Sequence, residues 1–138
     1  MSKQRLLIVE DEAGIRTVLQ RYFESEYDVS MAADGQEGIE LAQRLHPHLI
    51  LLDLRMPGLD GLDVLRRLKM SPDTVGIPII VLSALGDSTS VLDAQSLGAT
   101  DYFIKPMALA DVRQAMRKII PTYIDRGSDA PDETPDAS

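Results

Sequence analysis

A chain of 138 residues is long enough for one domain that buries about 70% of its unfolded surface. It is 44% apolar and 26% charged, as globular proteins are, and its lack of cysteine excludes a disulfide framework, a thiolate zinc site and a cysteine nucleophile. A net charge of −8, with four Tyr, two Phe and no Trp, argues against direct nucleic-acid binding, and no apolar run approaches the ~20 residues of a membrane span.

Met1 to Gln4 leads straight into a strand pattern rather than a signal peptide, so the expected location is the cytoplasm, away from any membrane. The first apolar run is Leu6-Leu7-Ile8-Val9, followed by a helical stripe of Ile15, Val18, Leu19, Tyr22 and Phe23. Val29-Ser30-Met31-Ala32 is the second run, and Asp34 with Glu37 resembles an acidic capping box opening a helix that carries Ile39 and Ala42. His46 and His48 flank Pro47 in a loop and, at i and i+2, do not make a metal pair by themselves. The third run, Leu49-Ile50-Leu51-Leu52, precedes a stripe of Leu62, Leu65 and Leu68 after Gly61. Ile79-Ile80-Val81-Leu82 is the fourth, with a weaker stripe of Val91, Ala94 and Leu97 stopped by Gly98. Tyr102-Phe103-Ile104 is the fifth, and Leu109, Val112, Met116 and Ile119 form a last stripe stopped by Pro121. Three runs are continuous apolar blocks, as expected of parallel strands covered on both faces. The order is βα five times, hence a doubly wound five-stranded parallel α/β sheet with right-handed crossovers.

Residues 125–138 hold five acids against one arginine and no Leu, Ile, Val or Phe. Such a stretch cannot offset its ordering entropy, so a disordered acidic tail or the start of a linker is expected there, after a domain of residues 1–124.

Open α/β sheets bind ligands outside the carboxyl ends of their strands. The first run is followed by Glu10 and Asp11, the third by Asp53, the fourth by Ser83 and the fifth by Lys105-Pro106, whereas the second ends in Ala32-Ala33 and suggests an edge strand outside the site. Three clustered carboxylates repel one another unless a cation joins them, and a hard divalent ion with oxygen ligands, Mg²⁺ above all, suits them. With that ion and Lys105 the site is electrically balanced and can accept a phosphoryl group, whose transfer needs mainly positioning and charge neutralisation. Asp53, closing the most apolar run, is the candidate nucleophile and would form an aspartyl phosphate.

The chain resembles the receiver domains of bacterial two-component response regulators, the family that includes the chemotaxis regulators. The matching pieces are Glu10-Asp11-Glu12, Asp53-Leu54-Arg55-Met56-Pro57-Gly58-Leu59-Asp60-Gly61, Ser83-Ala84 and Gly98-Ala99-Thr100-Asp101-Tyr102-Phe103-Ile104-Lys105-Pro106, spread over residues 5–120. The resemblance implies a flavodoxin-like fold with strand order 2-1-3-4-5. It implies that Asp53 accepts phosphate, that Glu10, Asp11, Asp53 and the backbone carbonyl of Arg55 hold Mg²⁺ or Mn²⁺, and that Lys105 and Ser83 contact the phosphoryl group. Ser83 and Tyr102 would form the switch, with Tyr102 turning inward after phosphorylation, and Lys105-Pro106 would be a cis peptide. The implied partners are a histidine kinase or phosphotransfer protein and a downstream target or an effector domain outside this sequence. The expected state is a monomer or a weak dimer through the face from the fourth to the fifth helix. Met107 stands where many members have Phe, Ser83 replaces the commoner Thr, and the segment 87–97 lacks the base used by the dimers of winged-helix regulators.

Simpler readings compete for individual residues. Glu12, Asp60, Asp63 and Asp101 read as solvent-facing or capping acids. Lys105 could snorkel from a strand end, and Tyr102, on a central strand, could simply be core. The chain reads as a switch rather than a metabolic enzyme. A haloacid-dehalogenase-type phosphatase would place a second Asp where Arg55 stands, and a flavodoxin-like carrier would not put Glu10-Asp11-Glu12 against a flavin phosphate.

Overall fold

The computed structural model describes residues 3–120. Side chains alternate across a strand, so each continuous apolar run must feed two cores, one per sheet face. The strands are β1 (Gln4–Val9), β2 (Tyr27–Ala32), β3 (Leu49–Leu52), β4 (Ile79–Ser83) and β5 (Asp101–Ile104), all parallel in the order 2-1-3-4-5. Leu7, Val9, Ile50, Leu52, Ile79 and Val81 face one core, closed by α2 (Gly35–Leu45), α3 (Gly61–Met70) and α4 (Ser88–Ser96). Leu6, Ile8, Leu49, Leu51, Ile80 and Leu82 face the other, closed by α1 (Ala13–Phe23) and α5 (Leu109–Ile119). This is the doubly wound flavodoxin-like arrangement.

The helix boundaries follow local chemistry. Asp34 caps α2 by accepting from the Glu37 N–H, while the Glu37 carboxylate reaches back to the Ala33 N–H, one residue before the position a capping box uses. Asp60 caps α3 and Asp87 caps α4. Gly61 opens α3 where a Cβ would lie 2.3 Å from the Leu54 Cα, so only glycine lets the helix start against the segment that follows β3.

Two sequence readings need correction. Val18 is 57% exposed rather than part of the buried stripe, because α1 touches the sheet along Leu19 and Phe23 and Val18 sits about 100° around the helix from Leu19. The weaker stripe of α4 is as expected, with Ala94 buried, Val91 and Leu97 half-buried and Leu92 exposed, so this helix is held lightly. β5 is an edge strand, paired with β4 alone, so Tyr102 does not occupy a central strand. The tail of residues 125–138 and the helix stop at Pro121 lie outside the described residues.

The two histidines bind the chain to itself. His46 ends α2 in the left-handed conformation (φ 48°), and His48 Nδ1 accepts the Arg5 N–H at 2.8 Å. Burial, then the Arg5 charge, lowers the His48 pKa, consistent with a neutral acceptor ring. Across the molecule Glu26 receives Arg113 and Arg117 from α5, and Arg113 lies 4.2 Å from the Tyr22 ring centroid.

Tyr27 is buried with its hydroxyl unpaired, and burial followed by the Glu26 charge pushes its pKa up to about 12. A folded-state pKa raised above the ordinary 10.0 stabilises the fold fully below pH 10 and loses that contribution as the pH climbs toward 12. Urea unfolding at pH 11 should therefore show Tyr27→Phe gaining on the wild type by about 1 kcal/mol relative to pH 7. Parallel curves for the two proteins would contradict the assignment.

Candidate functional site

Parallel strands end on one rim, so residues far apart in sequence meet there. Glu10 and Asp11 leave β1, Asp53 leaves β3, Ser83 closes β4 and Lys105 leaves β5. Carboxylate oxygens of Glu10, Asp11 and Asp53 all lie within 4.8 Å of one another. Glu10 and Asp53 are buried, at 3% and 6% exposure, while Asp11 faces solvent. The Lys105 Nζ donates to Glu10 Oε1 at 2.9 Å and to Asp53 Oδ2 at 3.5 Å.

The electrostatics match that crowding. Burial pushes the Glu10 carboxyl above its usual range and the Asp53 charge adds to the effect, against the lowering hydrogen bond from Lys105. Burial alone would lower Lys105, but the Glu10 hydrogen bond and the charges of Asp53 and Glu10 outweigh it and raise its pKa. Lys105 is thus no snorkelling surface lysine; it serves as counter-ion to the two buried acids.

Backbone contacts fix the acids. The Asp53 N–H donates to the Val9 carbonyl and the Glu10 N–H to the Ala32 carbonyl, each at 3.0 Å. Asp53 Oδ1 accepts the Arg55 N–H at 3.1 Å, so the chain turns back over the carboxylate at residue 55. Glu10 Oε2 accepts the Glu12 N–H at 3.1 Å. Glu12 and Asp101 are exposed, Asp60 caps α3 and Asp63 pairs with Arg66, so none of these four acids joins the cluster.

Ser83 is wholly buried, and its Oγ accepts the Leu85 N–H at 3.1 Å. The Tyr102 hydroxyl donates to the Leu85 carbonyl, so both side chains grip one residue of the loop after β4. Tyr102 is half-buried against the core beneath α4. The Lys105–Pro106 peptide is cis.

One contact was not read from the sequence. Arg16 of α1 donates from Nη1 to the Glu10 carbonyl at 2.7 Å. The available signal was a base in the first turn of a helix that has no acid there, against the helix dipole.

The arrangement places a buried carboxylate, a cluster of acids that fits a hard cation and a positive group at one rim. The sequence model of the response regulator receiver domain matches residues 6–117. Sporulation initiation phosphotransferase F of Bacillus subtilis is 34% identical over 122 residues, 88% of this chain and 97% of that protein. The probable transcriptional regulator ycf27 of Porphyridium aerugineum is 40% identical over 121 residues, 87% of this chain but 49% of that protein. The chain thus spans about half the length of the ycf27 relatives it matches. A similar solved structure is the receiver domain of a sensor histidine kinase from Pseudomonas aeruginosa PAO1, with a magnesium ion coordinated in its active-site cleft. It is 30% identical, with a TM-score of 0.79 over 86% of this chain and 98% of that one.

Removing Lys105 takes away the ion-pair partner of the two buried acids. In a metal chelator at pH 7, Lys105→Met should lose about 2 kcal/mol of stability. Glu10, raised further without its partner, takes up a proton in the folded state, so the deficit should shrink as the pH falls from 7 toward 5. Urea titrations across that range measure it, and a deficit independent of pH would contradict the electrostatic account.

Proposed function

This chain belongs to the response regulator receiver domain family, and from that premise we propose that Asp53 is the phosphoacceptor of its phosphorylation-driven switch. The observation that carries the reading is the buried Asp53 carboxylate, within 4.8 Å of two further acids and salt-bridged to Lys105.

The three-carboxylate donor set suits a hard divalent ion, and Lys105 already answers the demand for positive charge there. Glu10, Asp11 and Asp53, with the Arg55 carbonyl, would hold Mg²⁺ or Mn²⁺, which when bound supplies charge neutralisation for the phosphoryl oxygens. An Asp53 oxygen attacks the donor phosphorus; the O–P bond forms as the N–P bond of a phosphohistidine breaks, its electron pair leaving with the imidazole nitrogen. Lys105 exchanges a carboxylate contact for a phosphoryl oxygen, and the Ser83 hydroxyl turns from the Leu85 N–H to donate to another. The protein promotes only its own phosphorylation and dephosphorylation.

Leu85 then loses its hold on Ser83 while Tyr102 still grips its carbonyl, which favours a second packing of α4, the lightly held helix. The face of residues 85–120 is the surface a downstream partner or effector domain reads, and a bias of ~1–3 kcal/mol changes partner affinity about 5–150-fold. Phosphate comes from a histidine kinase or phosphotransfer protein. Among the described residues no helix is long and apolar enough to cross a membrane, and the site of action we propose is the cytoplasm. Residues 1–124 form the domain, with 125–138 an acidic tail or linker.

With Mg²⁺ and acetyl phosphate the protein should take up one phosphoryl group, and both Asp53→Asn and chelation should abolish uptake. Undiminished labelling of the variant would refute the assignment. Deleting residues 125–138 should leave labelling and the melting temperature unchanged; a loss of several degrees, worth about 1 kcal/mol, would mean that the tail docks on the domain.

A further inference from the structure

We infer that Arg16 is a positioning residue for the metal-binding loop: by holding the Glu10 carbonyl it sets the direction from which Asp11 meets the divalent ion. The inference deepens the functional reading above and rests on it.

Sheet bonding reaches only part of this loop. The Glu10 N–H is bonded to the Ala32 carbonyl, and the Asp53 N–H takes the Val9 carbonyl, but the Glu10 carbonyl lies beyond the last paired residue of β1. The Arg16 guanidinium provides its donor at 2.7 Å. With the Glu10 carboxylate held by Lys105 and by the Glu12 N–H, both ends of the residue are fixed, and so is the peptide plane joining it to Asp11. Asp11 is exposed, so its carboxylate is aimed by that backbone rather than by packing.

A second observation is independent of this contact. Helices α2, α3 and α5 carry an acid in the first turn and a base in the last, as the helix dipole favours. Helix α1 has no acid in its first turn and places Arg16 there instead. The acids of that end lie before the helix instead, at Glu10, Asp11 and the N-cap Glu12, so Arg16 faces a negative rim and serves as a charged donor for the otherwise unpaired Glu10 carbonyl.

The two roles open to Arg16 predict opposite signs. A guanidinium acting only through its charge repels a divalent ion, so its removal would tighten metal binding. A guanidinium that orients the loop strengthens binding, and loss of such a supporting hydrogen bond weakens metal affinity by about tenfold or more. Mg²⁺ and Mn²⁺ dissociation constants should be measured by calorimetry and by Mn²⁺ electron paramagnetic resonance on the whole chain. The proteins are the wild type, Arg16→Met, Arg16→Lys and Asp53→Asn, with melting in chelator as a control for folding. Arg16→Met should bind about tenfold more weakly while melting as the wild type does, and Arg16→Lys should recover part of the loss. Unchanged or tighter binding by Arg16→Met overturns the inference and leaves the functional reading intact. Metal binding by the wild type that Asp53→Asn does not alter, or no binding at all, overturns that reading and the inference with it.

Discussion

The salt bridge from Lys105 to Glu10 and Asp53 is the constraint on which the rim of this molecule depends. Three carboxylates converge where β1 and β3 end, two of them buried, and such a cluster cannot stay ionised without positive charge nearby. Lys105 provides it from β5, 95 residues from Glu10, which ties the edge of the sheet to its centre. A site organised by an exchangeable ammonium contact is also one that a phosphoryl group can enter, because the lysine can trade a carboxylate oxygen for a phosphate oxygen without losing a partner.

Around that rim the protein is stiff in some places and lightly held in others. β3 is buried along its whole length between two cores, so Asp53 projects from a densely packed strand at the centre of the sheet. The face formed by α1 and α5 is further braced by Glu26 with Arg113 and Arg117 and by the stacking of Arg113 on Tyr22. By contrast, α4 buries a single alanine, and β5 is paired on one side only. Low local burial is what permits a second packing at small cost, and the loop gripped by Ser83 and Tyr102 leads directly into that helix. Asp53 and the lightly held face are therefore neighbours across β4 while differing in burial.

The likeness to a magnesium-bound receiver domain accords with a rim on which three carboxylates cluster. The matched relatives include one about twice as long as the stretch it shares with this chain and one of nearly equal length.

Strand number and the rim residues were legible in the amino-acid sequence because they rest on short-range regularities, whereas the strand order came from the family resemblance. A continuous run such as Leu49-Ile50-Leu51-Leu52 has one comfortable home, a strand covered on both faces, and parallel strands carry whatever follows them to one edge. The residue after each run could accordingly be named as a site candidate without coordinates. Only the tertiary structure decided which helix faces touch the sheet, how Tyr102 sits and which side chains serve backbone groups. Val18 satisfies the helical period yet is exposed, since contact depends on how α1 lies across the strands and not on its own periodicity. The Arg16 bond to Glu10, the His48 bond to Arg5 and the Glu26 brace join residues whose separation carries no pattern. Each of these contacts exists because packing brings a donor within about 3 Å of an acceptor, a distance that no spacing along the chain encodes.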